Sequence, residues 1–174
     1  MIQNQMLSPH FSLKEMTDSQ TAVRYGIANV PSEQEIENLR RLCQGTLEPL
    51  REALQLPVVI TSGFRTKVLN DKLAHSSERS QHMQGQAADF YIPVQGEGVT
   101  VNGSLSRREL LIRAFREILT NPKIDYDQLI LYPNFIHVSY VSKERNRQNI
   151  LKARSDGKLG YGKLSYANAL LLNY

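Results

Sequence analysis

The stretch Ser80-Gln81-His82-Met83-Gln84-Gly85-Gln86-Ala87-Ala88-Asp89 places a histidine seven residues before an aspartate, with small or polar residues between them. A second histidine, His137, follows downstream in Phe135-Ile136-His137-Val138-Ser139-Tyr140. Two imidazoles and one carboxylate form a ligand set of catalytic zinc sites, in which a fourth coordination position stays open. We therefore expect His82, Asp89 and His137 to bind one zinc ion, and the surrounding elements to position them.

Strand alternation explains how two of these residues could meet. Successive side chains of a strand point to opposite faces, and both Asp89 and His137 project away from the more aliphatic face of their strands. If the strands are neighbours, both side chains reach a common point above the sheet. His82 would approach from a loop, where Gly85 lets the backbone turn sharply. Taken singly, each residue has a simpler reading, as a hydrogen-bonded histidine or a turn aspartate, so the spacing alone is weak evidence.

The order of the predicted elements indicates a single α+β domain. Capping patterns predict three helix starts, at Ser12, Ser32 and Ser106. The second helical stretch is expected either to kink near Gly45 and Pro49 or to consist of two abutting helices. A further helix is predicted at residues 66–74, and strands at 57–61, 87–92, 127–132, 135–141 and 148–154. Loops are predicted at residues 18–31, 75–86 and 94–105, the last as an insertion or flap. We expect a mainly antiparallel sheet with helices packed on one face and the zinc site at the sheet.

Length and composition are those of an ordinary globular protein. With 174 residues the chain can bury a proper core. A net charge of +4 favours an anionic partner, but the margin is small enough for a slightly basic soluble protein. The single cysteine, Cys43, excludes an internal disulfide and lies among helical apolar residues, as a buried thiol would. We expect a domain over residues 1–154 and an unassigned C-terminal extension over 155–174.

The sequence also bears on cellular location and on partners other than a metal. Residues 1–5 carry neither a basic segment nor an apolar run, so we expect no secretory signal and a chain that is cytoplasmic as synthesised. No apolar stretch approaches membrane-spanning length, so membrane insertion is not expected. A substrate outside the cytoplasm would then require another route, such as phage lysis or carriage in a virion. The basic residues in 107–116 and 143–147 are not interleaved with stacking aromatics, so nucleic-acid binding is not expected. The sequence does not indicate an oligomeric state.

Three ordered motifs connect the chain to a known family. Ser62-Gly63-Phe64-Arg65, the stretch from Ser80 to Asp89 and the segment around His137 resemble the zinc D-alanyl-D-alanine carboxypeptidase family. That family includes phage endolysin peptidases that cut peptidoglycan stem peptides. The resemblance implies a zinc peptidase that hydrolyses amide bonds of peptidoglycan. It also implies roles for particular residues: metal ligands at His82, Asp89 and His137, a substrate-carboxylate or oxyanion contact at Arg65, and a position beside the substrate at Ser80.

The acid/base residue is where this sequence departs from the family. Many relatives carry a Glu or Asp three residues before the final histidine or at the end of the preceding strand, and others a His two residues before it. Here those positions hold Asn134, Tyr132 or Leu131, and Phe135. An amide does not titrate, and a tyrosine has a pKa of about 10. None of these residues is a conventional base near neutral pH.

Hairpin geometry identifies which side chains accompany His137. If Pro133-Asn134 is a two-residue turn, Tyr132 pairs with Phe135 and Ile130 pairs with His137. Directly paired residues share one face of a sheet. Tyr132 then stands where the glutamate of a relative would be.

The same register places Gln128 on the metal face as a candidate substrate contact and turns Asp127 away from it.

Two functional hypotheses of different kinds follow from the sequence. The first is an active peptidoglycan peptidase that uses Arg65, zinc and an unconventional acid/base residue, either Tyr132 or Glu78. The second is a zinc-containing relative that is weakly active or inactive and binds cell-wall peptides.

Overall fold

The structure is a computed structural model that describes residues 5–74, 76–94, 106–153 and 161–172. Its first half contains β1 (Met6–Ser8), β2 (Phe11–Ser12), α1 (Leu13–Thr17), α2 (Gln20–Tyr25), α3 (Glu33–Leu42), a π-helical turn (Cys43–Leu47), α4 (Glu48–Leu54), β3 (Val59–Ser62) and α5 (Lys67–Lys72). Its second half contains a 3-10 turn (Gln81–Gln84), β4 (Ala87–Tyr91), α6 (Arg107–Thr120), β5 (Gln128–Leu131), β6 (Ile136–Ser139), β7 (Asn149–Ala153), β8 (Tyr161–Lys163) and α7 (Tyr166–Leu170).

The main sheet has the strand order β3-β4-β6-β5-β7-β8, and β1 and β2 form a separate small ribbon. Within the described residues, β5 and β7 run parallel and the other neighbouring strands run antiparallel. The predicted single α+β domain with a mainly antiparallel sheet is therefore confirmed.

The helices cover one face of this sheet. Ala88 and Phe90 of β4 and Ile136 and Val138 of β6 are all 0% exposed and belong to one core with the apolar residues of the helices. Burying a large apolar side chain contributes about 1.5–3 kcal/mol. Because the strand period is two, Asp89 and His137 alternate with these residues and lie on the opposite face.

The junction of α3 and α4 carries the kink that the sequence predicts. The π-helical turn joins the two helices, and Pro49 falls in the first turn of α4, where a missing N–H is tolerated. Cys43 is fully buried there, as predicted, and burial raises the pKa of its thiol far above the ordinary value. A Cβ at Gly45 would lie 3.1 Å from the Tyr140 ring, so this junction packs tightly on the chain that follows β6.

Some segments differ from the sequence prediction. Residues 18–31 were expected to form a loop but contain α2, which Ser19 caps and Gly26 ends at a φ of +60°. This helix of six residues has only Ala22 buried, so it shows no apolar periodicity. Gln81–Gln84 form a 3-10 turn inside a predicted loop. Of the predicted flap, residues 95–105 lie outside the described residues.

The C-terminal region adds to the domain in its described part. β8 pairs with the edge of β7 from Leu151↔Lys163 to Ala153↔Tyr161. Ala169 of α7 is fully buried in the common core, and Arg116 of α6 donates a hydrogen bond to the main-chain oxygen of Leu172. Among the described helices, none combines the length and the apolar character that crossing a bilayer requires.

Candidate metal centre

His82, Asp89 and His137 meet above the open face of the sheet. Asp89 and His137 are direct partners across β4 and β6, as strand alternation predicts, and His82 comes from the 3-10 turn that precedes β4. Nδ1 of His137 lies 2.8 Å from Oδ1 of Asp89 and 3.2 Å from Nε2 of His82. Nε2 of His82 lies 3.3 Å from the same carboxylate oxygen. Three potential ligand atoms therefore form a compact triangle.

The size of this triangle fits one small metal ion. Ligand atoms about 2.0–2.1 Å from a tetrahedral zinc ion are roughly 3.3 Å from one another. The three separations of 2.8, 3.2 and 3.3 Å are close to that value. The triangle would need little rearrangement to hold the ion, and three protein ligands leave a fourth position open.

The positions of the protons on the two histidine rings also favour a bound cation. Nδ1 of His82 lies 2.7 Å from the main-chain oxygen of Gly63, which can only accept, so this nitrogen carries the proton of the neutral ring. Nε2 of His82 then presents a lone pair toward Oδ1 of Asp89. Even a proton on Nδ1 of His137 would satisfy only one of these two acceptors. A bound cation would relieve the opposed lone pairs, and the Gly63 carbonyl would orient the ring as an outer partner.

The electrostatics of the site favour the protonation states that a metal requires. Burial lowers the pKa of His82, and this effect exceeds the opposing effect of Asp89. Burial alone would raise the pKa of Asp89, but the hydrogen bond from His137 holds it well below its usual range. A neutral imidazole and an ionised carboxylate are the forms that coordinate a metal.

Two glycines allow the close backbone contacts that support His82. Gly85 ends the 3-10 turn at a φ of +65°, and a Cβ there would lie under 3.0 Å from the main-chain oxygen of Glu35. A Cβ at Gly63 would lie equally close to the main-chain oxygen of Met16. The main-chain N–H of Arg65 also donates to the His82 oxygen at 3.1 Å. The turn, the Gly63 loop and the helices are therefore fitted together without room for a side chain.

Asn29 ties the arginine loop to the rest of the site, and sequence reasoning assigned it no role. Its Nδ2 donates to the main-chain oxygens of Thr17 and Phe64, and its Oδ1 accepts from the N–H of Thr66, each at 2.9 Å. The side chain is buried and bridges positions up to 37 residues away in sequence. A single asparagine in an irregular segment carries no periodic signal that could have identified it.

Arg65 lies directly beside the triangle. Its Nη2 donates to Oδ2 of Asp89 and its Nε donates to Oγ of Ser62, both at 2.9 Å. Burial lowers the pKa of Arg65, and the neighbouring Asp89 and Tyr132 oppose that shift. Arginine remains charged in proteins, so the site holds a fixed positive charge next to the carboxylate.

The strand register around His137 follows the predicted hairpin. Ile130 pairs with His137, and the N–H of Tyr132 donates to the oxygen of Phe135 at 3.0 Å. The rings of Tyr132 and Phe135 stack with centroids 4.2 Å apart. Tyr132 is half-buried and lies near Arg65.

The two expected substrate contacts, Ser80 and Gln128, lie on segments next to those that carry the ligand residues. Gln128 pairs with Ser139, so it shares the face of His137, and it is half-buried. Ser80 is half-buried at the start of the 3-10 turn, where its main-chain oxygen accepts from the N–H of Met83. The roles of both residues, like those of Tyr132 and Arg65, stay predictions.

Asp127 does not point away from the metal face, and that expectation was wrong. Its Oδ2 accepts from Nε2 of Gln81 at 2.9 Å and from Oγ of Ser139 at 3.4 Å. The residue precedes β5, so strand alternation does not govern its side chain. Burial would raise its pKa, but hydrogen bonds from Arg147 and Gln81 keep it below the usual range. Asp127 is therefore an occupied hydrogen-bond acceptor and a poor general base.

Two histidines and an aspartate beside a partly buried arginine form a group that could hold a metal ion. The model of the family described as Peptidase M15 matches residues 9–109, which is more than half of the chain. The protein therefore belongs to the M15 peptidases, which are zinc-dependent and act on peptidoglycan, and the predicted resemblance is confirmed. The matched segment contains Arg65, His82 and Asp89, and the fold brings His137 to them from outside it. No curated protein matches the chain.

Proposed function

We propose that the protein is a zinc-dependent peptidase that hydrolyses amide bonds in peptidoglycan stem peptides, as a D-Ala-D-Ala carboxypeptidase or as an endolysin-type endopeptidase. The observation that carries the proposal is the convergence of the His82, Asp89 and His137 ligand atoms beside Arg65. Membership of the M15 family supports zinc as the ion, and three ligand atoms in one triangle suit a single ion.

The metal and the arginine have separate roles in this proposal. His82, Asp89 and His137 would hold the zinc ion, which would polarise a carbonyl and lower the pKa of a bound water to about 7. Arg65 uses Nε and Nη2 to hold its own plane against Ser62 and Asp89. The fixed guanidinium is then positioned to bind a substrate carboxylate or to stabilise the oxyanion that develops during amide hydrolysis.

In the active form of the proposal Tyr132 is the unconventional acid/base residue, and it acts as a donor rather than as a base. Tyr132 shares the sheet face of His137, and its phenol is suited to donating a hydrogen bond to the oxyanion. It is a poor proton acceptor near neutral pH, because a tyrosine has a pKa of about 10. Glu78 is the alternative acid/base residue; it is exposed and is not a member of the ligand triangle. Gln128 and Ser80 are proposed to contact the peptide beside the metal.

The same observations support a second candidate function. The cluster that could hold a metal contains one acid among the described residues, Asp89, and that acid is committed to the triangle and to Arg65. The carboxylate of Asp127 is occupied by its own hydrogen bonds. A site with a metal and an arginine but no conventional base would bind cell-wall peptides and cleave them slowly or not at all.

Incubation with purified muropeptides separates the two candidates. The protein is assayed as purified, after chelation, and after zinc is returned to the chelated sample, and product masses identify the bond that is cut. Cleavage that chelation removes and zinc restores supports the peptidase. Sedimentation with peptidoglycan is measured in parallel, with Tyr132→Phe as a variant. In the peptidase, Tyr132→Phe is expected to lower kcat by about 100-fold to 1,000-fold, the range for loss of one oxyanion donor.

The outcomes distinguish the proposals cleanly. Binding to peptidoglycan without zinc-dependent cleavage overturns the peptidase and supports the binding protein. Neither binding nor cleavage overturns both.

A further inference from the structure

A buried carboxylate outside the ligand triangle is held by an unusually complete set of donors. Asp127 is 0% exposed, and Oδ1 accepts from the main-chain N–H of Arg147 at 2.8 Å and from its Nε at 2.9 Å. Oδ2 accepts from Nη2 of the same arginine, from Gln81 and from Ser139. The main chain of Asp127 is fixed as well, because its N–H donates to the Ser139 oxygen and its oxygen accepts from the Asn149 N–H. The carboxylate is a rigid anchor.

Gln81 connects this anchor to the turn that carries His82. Its Nε2 donates to Asp127 at 2.9 Å, and its Oε1 accepts from Nη2 of Arg147 at 3.2 Å. Gln81 is the first residue of the 3-10 turn and immediately precedes His82. The amide nitrogen and oxygen of Gln81 therefore contact residues just before β5 and just before β7.

His82 depends on such contacts more than the other two ligand residues do. Asp89 and His137 lie on paired central strands, which fix their backbones through the sheet. His82 lies on a short turn whose last residue is Gln84. The main-chain oxygen of Gln84 accepts a hydrogen bond from Nδ2 of Asn38. The start of that turn is fixed by Gln81, so the two ends are held by different parts of the domain.

We propose that Gln81, Asp127 and Arg147, here called the Asp127 clamp, position His82 for metal binding without touching the ligand atoms themselves. This inference rests on the proposed metal site. Without the Gln81 contacts, the turn would populate orientations in which Nε2 of His82 is not aimed at Asp89 and His137. The apparent dissociation constant for a metal rises in proportion as the competent fraction falls. A competent fraction of about one tenth would therefore weaken zinc binding about 10-fold.

The test compares two substitutions of the same type in one turn. Gln81→Met removes both side-chain hydrogen bonds at similar volume and leaves the Asp127–Arg147 ion pair in place. Gln84→Met is the matched control, since Gln84 is exposed and its side chain makes no hydrogen bond to another described residue. Zinc affinity is measured by competition with a chromophoric chelator, and the unfolding of metal-free protein by urea. Zinc affinity of the folded protein is the decisive readout, because a merely structural contact would lower stability and leave that affinity unchanged.

We expect zinc affinity about 10-fold weaker in Gln81→Met and unchanged in Gln84→Met. Arg147→Lys keeps the charge but loses the planar fork, and it is expected to weaken zinc binding by a smaller factor. Equal zinc affinity in Gln81→Met and Gln84→Met overturns the clamp. The same chelator competition is run on the wild-type protein. If the wild type does not bind zinc, the proposed metal site is overturned rather than the clamp.

Discussion

Gly85 restrains the turn that carries His82 in two ways, and three alanine substitutions separate them. Its φ of +65° lies in the left-handed region, and a Cβ would also lie under 3.0 Å from a main-chain oxygen of α3. Gly26 has a similar φ of +60°, but no atom lies within 4 Å of the Cβ position. Gly63 has no positive φ, yet its Cβ would meet the Met16 oxygen as closely. Gly26 therefore tests the backbone conformation alone, Gly63 tests the close contact alone, and Gly85 tests both together.

The magnitudes follow from these two effects. A left-handed conformation costs a residue with a Cβ roughly 1–2 kcal/mol, so Gly26→Ala is expected to lower the free energy of unfolding by about that amount. Forcing a methyl group into a packed contact costs about 1–3 kcal/mol, and a backbone oxygen cannot rotate away. Gly63→Ala is expected to show this second cost. Gly85→Ala combines both costs, for a loss of about 2–5 kcal/mol.

Urea unfolding of the metal-free protein measures the stability of the three variants, and chelator competition measures their zinc affinity. We expect Gly85→Ala to weaken zinc binding, because relief of the contact with Glu35 moves the turn that carries His82. Gly63→Ala is expected to weaken it as well, through the carbonyl that orients the His82 ring. Gly26→Ala is expected to leave zinc affinity unchanged. A Gly85→Ala protein that is as stable as Gly26→Ala and binds zinc as tightly as the wild type would refute this reasoning.

Two predictions concern the polar groups that support the fold. Burial raises the pKa of the Glu48 carboxyl, but hydrogen bonds from Ser8 and His10 bring it below the ordinary value of 4.5. The stabilisation is therefore present above the unfolded-state pKa and lost as pH falls through the lower folded-state pKa. Glu48→Gln is expected to cost about 1–3 kcal/mol near pH 7 and clearly less near pH 3.5. Urea unfolding at both pH values checks this, and an equal cost at both would contradict it. Asn29→Ala leaves two carbonyls and one N–H without their partner. It is expected to lower the free energy of unfolding in urea by about 2–4 kcal/mol, and a loss below about 1 kcal/mol would contradict that.

Local periodicity accounts for the parts of the fold and site that the sequence predicted. The strand period of two placed Asp89 and His137 on one face, and the two-residue turn set the pairing of Ile130 with His137. Serine capping patterns located the starts of α3 and α6, where Ser32 and Ser106 are the N-cap residues. These features depend on residues a few positions apart, or on one turn.

The parts that sequence reasoning missed depend on distant residues without a regular spacing. Asp127 bonds to Gln81 across 46 residues and to Arg147 across 20 residues, and neither contact repeats along a helix or strand. Asn29 likewise acts through three main-chain groups of other segments. Such side chains are recognised only when the tertiary structure shows which groups they reach. The family resemblance supplied the candidate ligands but not the residues that hold them.

The zinc content of the purified protein tests the metal centre most directly. Metal-free protein is reconstituted with zinc, passed over a desalting column and analysed for metal per chain, alongside His137→Ala and His10→Ala. His10 is a matched control, because it also contacts a carboxylate, that of Glu48, but lies outside the ligand triangle. The wild type and His10→Ala are expected to retain one zinc ion per chain, and His137→Ala is expected to lose it. A wild-type chain without zinc, or a His137→Ala chain that retains zinc equally well, would contradict the proposed metal centre.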